Sequence, residues 1–340
     1  MKPFYVVIIA LLLSGQLLAR QQDTQAVSTP SIFDYFQQDE VLEVAIFADF
    51  SKLLDEKLTS EDYQDATIRI MQPKGQISSI PVKLKPRGRF RRKVCDFPPL
   101  KLKFKKDFLL QNGLDTFNKL KLVTHCLADP TQNTESILKE YLAYKMLNML
   151  TDQSFRVQLL YINYVDITGK LSNVSAFGFI LEEDEQVAHR MGGTLTEQFS
   201  TPESDLDRKQ AGTVAMFQYM IGNPDWDITM CRNLKMVKRP GGDKLCIIPY
   251  DFDFSGWVKP DYLKDHDKLK KRGEERVLKG INLSQEEITD ISENFISKRT
   301  LFSDTITNAV YLDKMSRNKL LKYLDNFYSE LEDLNTVQGK

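Results

Sequence analysis

Two acidic clusters lie on either side of one predicted hairpin in the C-terminal half of the chain. The first is the loop GNPDWD at 222–227, which contains Asp225, and Asn233 follows it at the start of an apolar strand. The second, at the end of the next apolar strand, contains Asp251 and Asp253 on one face, because residues two apart in a strand point the same way. An aspartate near an acceptor hydroxyl, with an asparagine and a second carboxylate holding Mg²⁺ on nucleotide phosphates, is what phosphoryl transfer requires.

Each of these aspartates also has a simpler interpretation, because aspartate is common in turns and at helix caps. Their combination with Asn233 between apolar strands favours a metal-phosphate site, or the inactive descendant of one, and a calcium site is the nearest alternative. The sequence contains no P-loop, dinucleotide-binding, zinc-protease or nucleophile-elbow motif. Its three scattered histidines, His125, His189 and His266, are interpreted as structural or surface residues.

Cations that could contact phosphate are concentrated between residues 83 and 106. Lys101 and Lys103 alternate with apolar residues, so both leave one face of a strand whose other face is core. A solvated sheet face explains this alternation equally well. Arg87 and Arg89 flank a glycine and could hold a phosphate in a bidentate way, or could form a basic surface turn.

The elements that would position these residues fall into two parts. Alternating and apolar runs predict strands of one antiparallel sheet at 41–50, 66–71, 80–84, 99–104 and 119–123, with a turn at 73–76. Helical spacing predicts helices at 136–150 and 205–221, and the chain from 284 onward is predicted to be amphipathic and helical. Turn residues at 168–170 and 239–242 predict two further hairpins. A sheet-rich part followed by a helix-rich part is a two-lobed α+β layout.

The first 35 residues are predicted to lie outside this domain. Residues 1–19 contain a lysine, an apolar run and small residues, which together indicate a signal peptide. Residues 20–35 are mostly polar and predict a disordered linker before a domain at 36–335. We therefore expect an exported protein, periplasmic or extracellular, with no transmembrane segment after signal cleavage.

Charge and cysteine content narrow the possibilities further. The 46 basic and 47 acidic residues nearly cancel, which gives no support for nucleic acid as a partner. Export permits disulfides, and Cys95 and Cys126 both adjoin predicted strands, so they are the expected pair, with buried free thiols as the alternative. A bridge between Cys231 and Cys246 is less favoured, because these residues flank a hairpin out of register.

Several short blocks occur in an order that resembles the CotH family, the spore-coat-protein-H-like atypical kinases. The similarity extends over residues 41–256 and rests on the blocks RGRFRR (87–92), FPPLKLKF (97–104), KLKLV (119–123), EYLAY (140–144), FGFILE (177–182), GNPDW (222–226) and YDFDFSG (250–256). The resemblance implies a two-lobed, atypical protein-kinase-like fold with an antiparallel-sheet N-lobe and a helical C-lobe. We expect a monomer.

The same resemblance implies transfer of phosphoryl from a nucleotide, ATP with Mg²⁺ or Mn²⁺, to a protein or small-molecule hydroxyl. Asp225 would be the catalytic residue, and Asn233 and Asp251 would be metal ligands. Lys101 or Lys103 would contact phosphate. An alternative expectation is a catalytically inactive kinase-like binding module at the cell envelope.

Two further residues complete the predicted site. Asp253 shares a strand face with Asp251 and is expected to share its cation. Glu140 follows the sheet on a predicted helix, where the ion-pair partner of a phosphate-binding lysine would lie, although an exposed helical glutamate is the simpler interpretation.

Overall fold

The computed structural model describes residues 29–71, 77–260 and 276–336. The predicted signal peptide, the turn predicted at 73–76 and His266 lie outside these residues. The helices are α1 (Ile32–Phe36), α2 (Phe50–Asp55), α3 (Arg91–Val94), α4 (Lys106–Gln111), α5 (Thr134–Leu150), α6 (Asp184–Arg190), α7 (Arg208–Met220), α8 (Gln285–Ser297), α9 (Arg299–Thr307) and α10 (Lys314–Thr336). The strands are β1 (Leu42–Ala48), β2 (Gln64–Met71), β3 (Ile77–Pro86), β4 (Leu100–Phe104), β5 (Lys119–Val123), β6 (Val157–Asp166), β7 (Val174–Leu181), β8 (Thr194–Thr196), β9 (Leu234–Lys238) and β10 (Leu245–Pro249).

Seven strands close into a barrel in the order β1-β2-β3-β4-β5-β7-β6. The barrel closes where β1 pairs in parallel with β6, which corrects the prediction of a purely antiparallel sheet. Alternation shows which face of a strand is buried, but it does not show which strand lies beside it. On β4, Leu100, Leu102 and Phe104 are buried in the barrel interior, and the intervening lysines point outward.

The second part of the molecule packs helices around a small sheet. Strands β8, β9 and β10 form this three-stranded sheet. The antiparallel pair of β9 and β10 is the hairpin predicted around 239–242, and β8 is an addition to it that the sequence did not predict. Helices α5, α7, α8, α9 and α10 contribute to one apolar core, and the small sheet and α7 contribute to another around Trp226. The fold is therefore α+β, with a barrel in its first part and helices dominating its second. No helix among the described residues is long and apolar enough to cross a membrane.

Two predicted boundaries need correction. The linker predicted at 20–35 is too long, because Ile32–Phe36 is a helix whose Ile32 and Phe33 are buried against the barrel. Ser31 caps this helix by accepting the backbone N–H of Asp34. The helix predicted at 205–221 begins later, because Asp207 caps α7 by accepting the N–H of Gln210.

The four cysteines include one disulfide. Cys95 and Cys126 are bonded, with their Cα atoms 4.6 Å apart, which confirms the predicted pair. Cys231 and Cys246 are free thiols, so the less favoured second bridge is not formed. The bond joins the residue after α3 to the segment after β5 and therefore fixes the position of α3 against the barrel.

His125 lies next to this disulfide, and we expect it to make folding sensitive to acid. Its ring stacks on Phe97 at 4.5 Å, and burial lowers its pKa to about 4. An unfolded chain takes up this proton near pH 6.5, so stability falls as pH decreases from 6.5 towards 4. Between pH 7 and pH 5, urea unfolding should show a loss about 2 kcal/mol larger in the native protein than in His125→Gln. Equal losses in the two proteins would contradict this role for His125.

Candidate functional site

The loop after α7 folds back so that Asp225 meets Asn233 at the start of β9. The side-chain amide of Asn233 donates to the Asp225 carboxylate at 3.0 Å and to its backbone carbonyl at 2.7 Å. The Asp225 N–H donates to the side chain of Asn223, which fixes the loop from the other side. The Asp225 side chain is 32% exposed, and half-exposed Arg232 lies 3.5 Å from it. Asp225 is thus a carboxylate that is held in place yet open to solvent.

Asp251 follows β10 and is the next residue after Tyr250, which is hydrogen-bonded to Asn233. The N–H of Tyr250 donates to the carbonyl of Asn233 at 3.0 Å, and the Asp251 N–H donates to the hydroxyl of Tyr144. Asn233 and Asp251 have φ angles of +52° and +65°, a region that few residues other than glycine adopt. Such backbone strain is concentrated at functional sites. The structure therefore brings together three of the residues predicted for the site, Asp225, Asn233 and Asp251.

Arg91 on α3 binds the remaining carboxylates of the cluster. Its guanidinium lies 2.9 Å from Asp253, 3.3 Å from Asp251 and 3.4 Å from Glu140. Arg91, Glu140 and Asp253 are all at least nine-tenths buried. The ion-pair partner of Glu140 is therefore Arg91, and neither Lys101 nor Lys103 takes that role. Both lysines lie on the outer face of their strand.

Burial controls the protonation of this cluster. It raises the pKa of Glu140 well above the usual range, against the opposing effect of Arg91. Partial desolvation also raises the pKa of Asp251, although 36% of its side chain is exposed. The charge of Asp253 adds to the effect, while Arg91 and Arg87 oppose it. One oxygen of Glu140 is buried and has no hydrogen-bond partner among the residues that the structure describes. Three carboxyl groups thus share one close guanidinium, and a cation or protons would stabilise them further.

Lys121 on β5 is a barrel lysine that reaches the second part of the molecule, and sequence reasoning missed it. It forms a salt bridge with Asp184, whose other oxygen lies 3.2 Å from Lys235 of β9. Its ammonium lies 4.8 Å from the ring centre of Tyr250 and 5.0 Å from that of Phe155. Burial lowers the pKa of Lys121 to about 8, so the side chain is mainly charged at pH 7. The alternation at 119–123 contained this signal, since it repeats the pattern of β4.

The other predicted cations lie at different depths. Lys101 is directly opposite Lys121 in the sheet and is half-buried, and burial lowers its pKa. Lys103 is exposed and lies over the ring of Tyr63. Arg87 is half-buried and lowers the pKa of Asp251, whereas Arg89 is exposed. Arg87 and Lys101 are therefore better candidates for phosphate contact than Arg89 and Lys103.

A preformed metal cage is absent from the described ranges, since no three acidic, histidine or cysteine side chains there converge on one cation position. The available donors are nevertheless carboxylate and amide oxygens, which suit Mg²⁺ and Mn²⁺. Mg²⁺ is commonly held by one or two carboxylates together with substrate phosphates. Asp251, with Asn233 beside it, fits that mode, although Arg91 now occupies one side of Asp251.

The chain matches no known family and has a distant structural similarity to a solved kinase. No protein-family model matches the chain, and no curated protein matches it either. Among solved structures, the crystal structure of a Helicobacter pylori proinflammatory kinase, CtkA, is similar, with a TM-score of 0.38 and 12% sequence identity. The match covers 83% of this chain and 95% of that chain. Similarity at this level assigns neither a family nor a function, and the CotH resemblance stays a prediction.

Proposed function

We propose that this protein transfers a phosphoryl group from a nucleotide, with Mg²⁺ or Mn²⁺, to a hydroxyl of a protein or small molecule. The observation that carries the proposal is that cationic Lys121 of the barrel lies near acidic Asp251 at the end of the small sheet. Lys121 of the barrel lies 4.8 Å from the Tyr250 ring, and Tyr250 directly precedes Asp251. A polyphosphate bound between them would face cations on one side and a metal-binding carboxylate on the other.

Each side chain has a defined task in this proposal. Lys121, Lys101 and Arg87 bind phosphate oxygens, and Asp251 with Asn233 holds the cation. The cation neutralises charge on the phosphates and orients them for transfer. Asp225 accepts the proton of the acceptor hydroxyl, because its carboxylate is fixed by Asn233 and still reaches solvent.

One observation favours a second candidate, a kinase-like fold that binds partners without catalysis. Arg91 already neutralises Asp251 and Asp253, the carboxylates that the sequence assigns to the metal. If the guanidinium stays there in the presence of nucleotide, it blocks the cation by charge repulsion as well as by occupancy. The two candidates therefore differ in whether a divalent cation can displace Arg91 from Asp251.

Nucleotide binding tests the proposal directly. With ATP and Mg²⁺ at about a hundred times the dissociation constant, the melting temperature should rise by about 5 °C, because a ligand specific for the folded state stabilises it. Lys121→Met should abolish most of the rise, whereas Lys103→Met, an exposed lysine on the same sheet, should retain it. The rise should also decrease above about pH 8, where Lys121 loses its charge. Absence of any rise with ATP and either Mg²⁺ or Mn²⁺ would instead favour the non-catalytic candidate.

A further inference from the structure

A cleft of about 1040 Å³ opens between the barrel surface, α5 and the segment joining α9 to α10. We call it the aromatic groove, because the rings of Tyr161, Phe177 and Tyr311 line it in sequence. The ring centre of Phe177 is 5.0 Å from that of Tyr161 and 5.0 Å from that of Tyr311. The buried side chains of Leu138 and Leu142 form its floor.

The aromatic groove is separate from the candidate site described above. Both use α5, but different faces of that helix, since successive residues are rotated by about 100°. Glu140 and Tyr144 contact Arg91 and Asp251, whereas Tyr141 and Lys145 line the groove. An inference about the groove therefore does not depend on phosphoryl transfer.

Large apolar side chains are unusually exposed around the groove. Tyr311 is 51% exposed, Tyr161 39%, Leu301 45% and Val310 71%. All four line the same cleft, although they come from a strand, a helix and a loop. Apolar side chains that gather in one exposed concave patch are typical of interaction sites.

The rim of the groove is acidic. Among the residues that the structure describes, Asp39, Glu40, Glu43 and Asp304 line it, against the single cation Lys145. All four acidic residues are exposed, and none forms a salt bridge within the described part of the chain. The groove thus combines aromatic faces with three uncompensated negative charges, which is a surface that attracts cations.

We propose that the aromatic groove binds an extended, basic segment of a partner protein, in which arginine or lysine alternates with aliphatic residues. The cationic groups would lie over Tyr161 and Tyr311 and pair with Glu43 and Asp304. The aliphatic side chains would cover Leu138 on the floor. A glycan or another uncharged ligand would leave the carboxylates without countercharge, and an acidic partner would be repelled.

A random nine-residue peptide library displayed on phage and selected on the full chain tests this inference. The enriched peptides should carry a net positive charge, and their binding, measured by fluorescence anisotropy, should weaken as salt is raised. The double variant Glu43→Lys/Asp304→Lys should bind them about tenfold more weakly. Tyr161→Ser/Tyr311→Ser, which keeps the charges, should weaken binding about fivefold.

A matched control changes the same charge elsewhere. Asp243→Lys/Glu332→Lys alters two exposed acidic residues outside the groove and should leave peptide affinity unchanged. The proposal is overturned if no basic peptide is enriched, or if both groove variants bind as the native chain does. It is also overturned if light scattering shows a dimer that Glu43→Lys/Asp304→Lys dissociates, because a second copy would then be the occupant.

Discussion

Replacing Arg91 by methionine is expected to lower the free energy of unfolding by about 3–5 kcal/mol at neutral pH, because it leaves buried carboxylates without their guanidinium. Arg91 is in contact with Glu140, Asp251 and Asp253, and only Asp251 among these three is appreciably exposed. Methionine keeps the apolar stem of the side chain but lacks the outer atoms of the guanidinium, so the dependence of the loss on pH is needed to separate charge from packing. Denaturant unfolding at pH 7 measures the change.

A control and a pH series separate this effect from ordinary loss of an ion pair. Arg299→Met removes a half-exposed arginine paired with exposed Asp325, and should cost about 1 kcal/mol or less. The deficit of Arg91→Met should shrink at low pH, where the three carboxyl groups become protonated and need no counter-charge. A deficit that is small at pH 7, or that does not change with pH, would show that Arg91 is not the balancing charge.

The same variant distinguishes the two functional candidates. If Asp251 can hold Mg²⁺ or Mn²⁺, the cation should recover part of the stability lost in Arg91→Met, because it supplies the missing positive charge. The native protein should respond less to the cation without nucleotide, since the guanidinium competes for Asp251. Recovery by neither cation would favour the binding module without catalysis.

Part of this site could be predicted from the sequence because its members are close along the chain. Asp225, Asn233 and Asp251 flank one hairpin, and antiparallel pairing of β9 with β10 brings their ends together. The pairing of Cys95 with Cys126 was predictable for a similar reason, since both adjoin strands that run side by side. Local patterns were sufficient where a turn or a neighbouring strand determines the contact.

The missed residues depend on contacts between distant parts of the chain. Arg91 lies 160 positions before Asp251, and nothing in its residue type separates it from the neighbouring Arg87 and Arg89. Lys121 has the same alternating pattern as Lys101, so the pattern could not show which lysine faces the small sheet. Only the closure of the barrel and its packing on the second part decide these positions, and neither is a local property.

Asp225→Asn and Asp251→Asn are expected to affect the proposed reaction in different ways. In the proposed reaction Asp225 would contact the acceptor hydroxyl, so its amide variant should reduce turnover about 10²–10⁴-fold and leave nucleotide affinity nearly intact. The asparagine oxygen can still accept the hydrogen bond from Asn233, so the loop should keep its position. Turnover and affinity are measured separately, by phosphate release or transfer and by a nucleotide titration.

In the proposed reaction the charge of Asp251 would hold the cation on the phosphates, so Asp251→Asn should lower nucleotide affinity about tenfold or more, together with turnover. In the absence of nucleotide, Asp251→Asn should not lower the melting temperature, whereas the loss of a structural residue would lower it. Burial and the charge of Asp253 raise the pKa of Asp251, which means that the ionised form is disfavoured in the fold. A neutral side chain relieves that repulsion, so the melting temperature of the unliganded variant should stay the same or rise.

If both variants instead lower the melting temperature alike and neither alters a nucleotide response, Asp225 and Asp251 are structural residues. The positive φ angles, the hydrogen bond that Asn233 donates to Asp225 and the one that the Asp251 N–H donates to Tyr144 would then serve the fold alone.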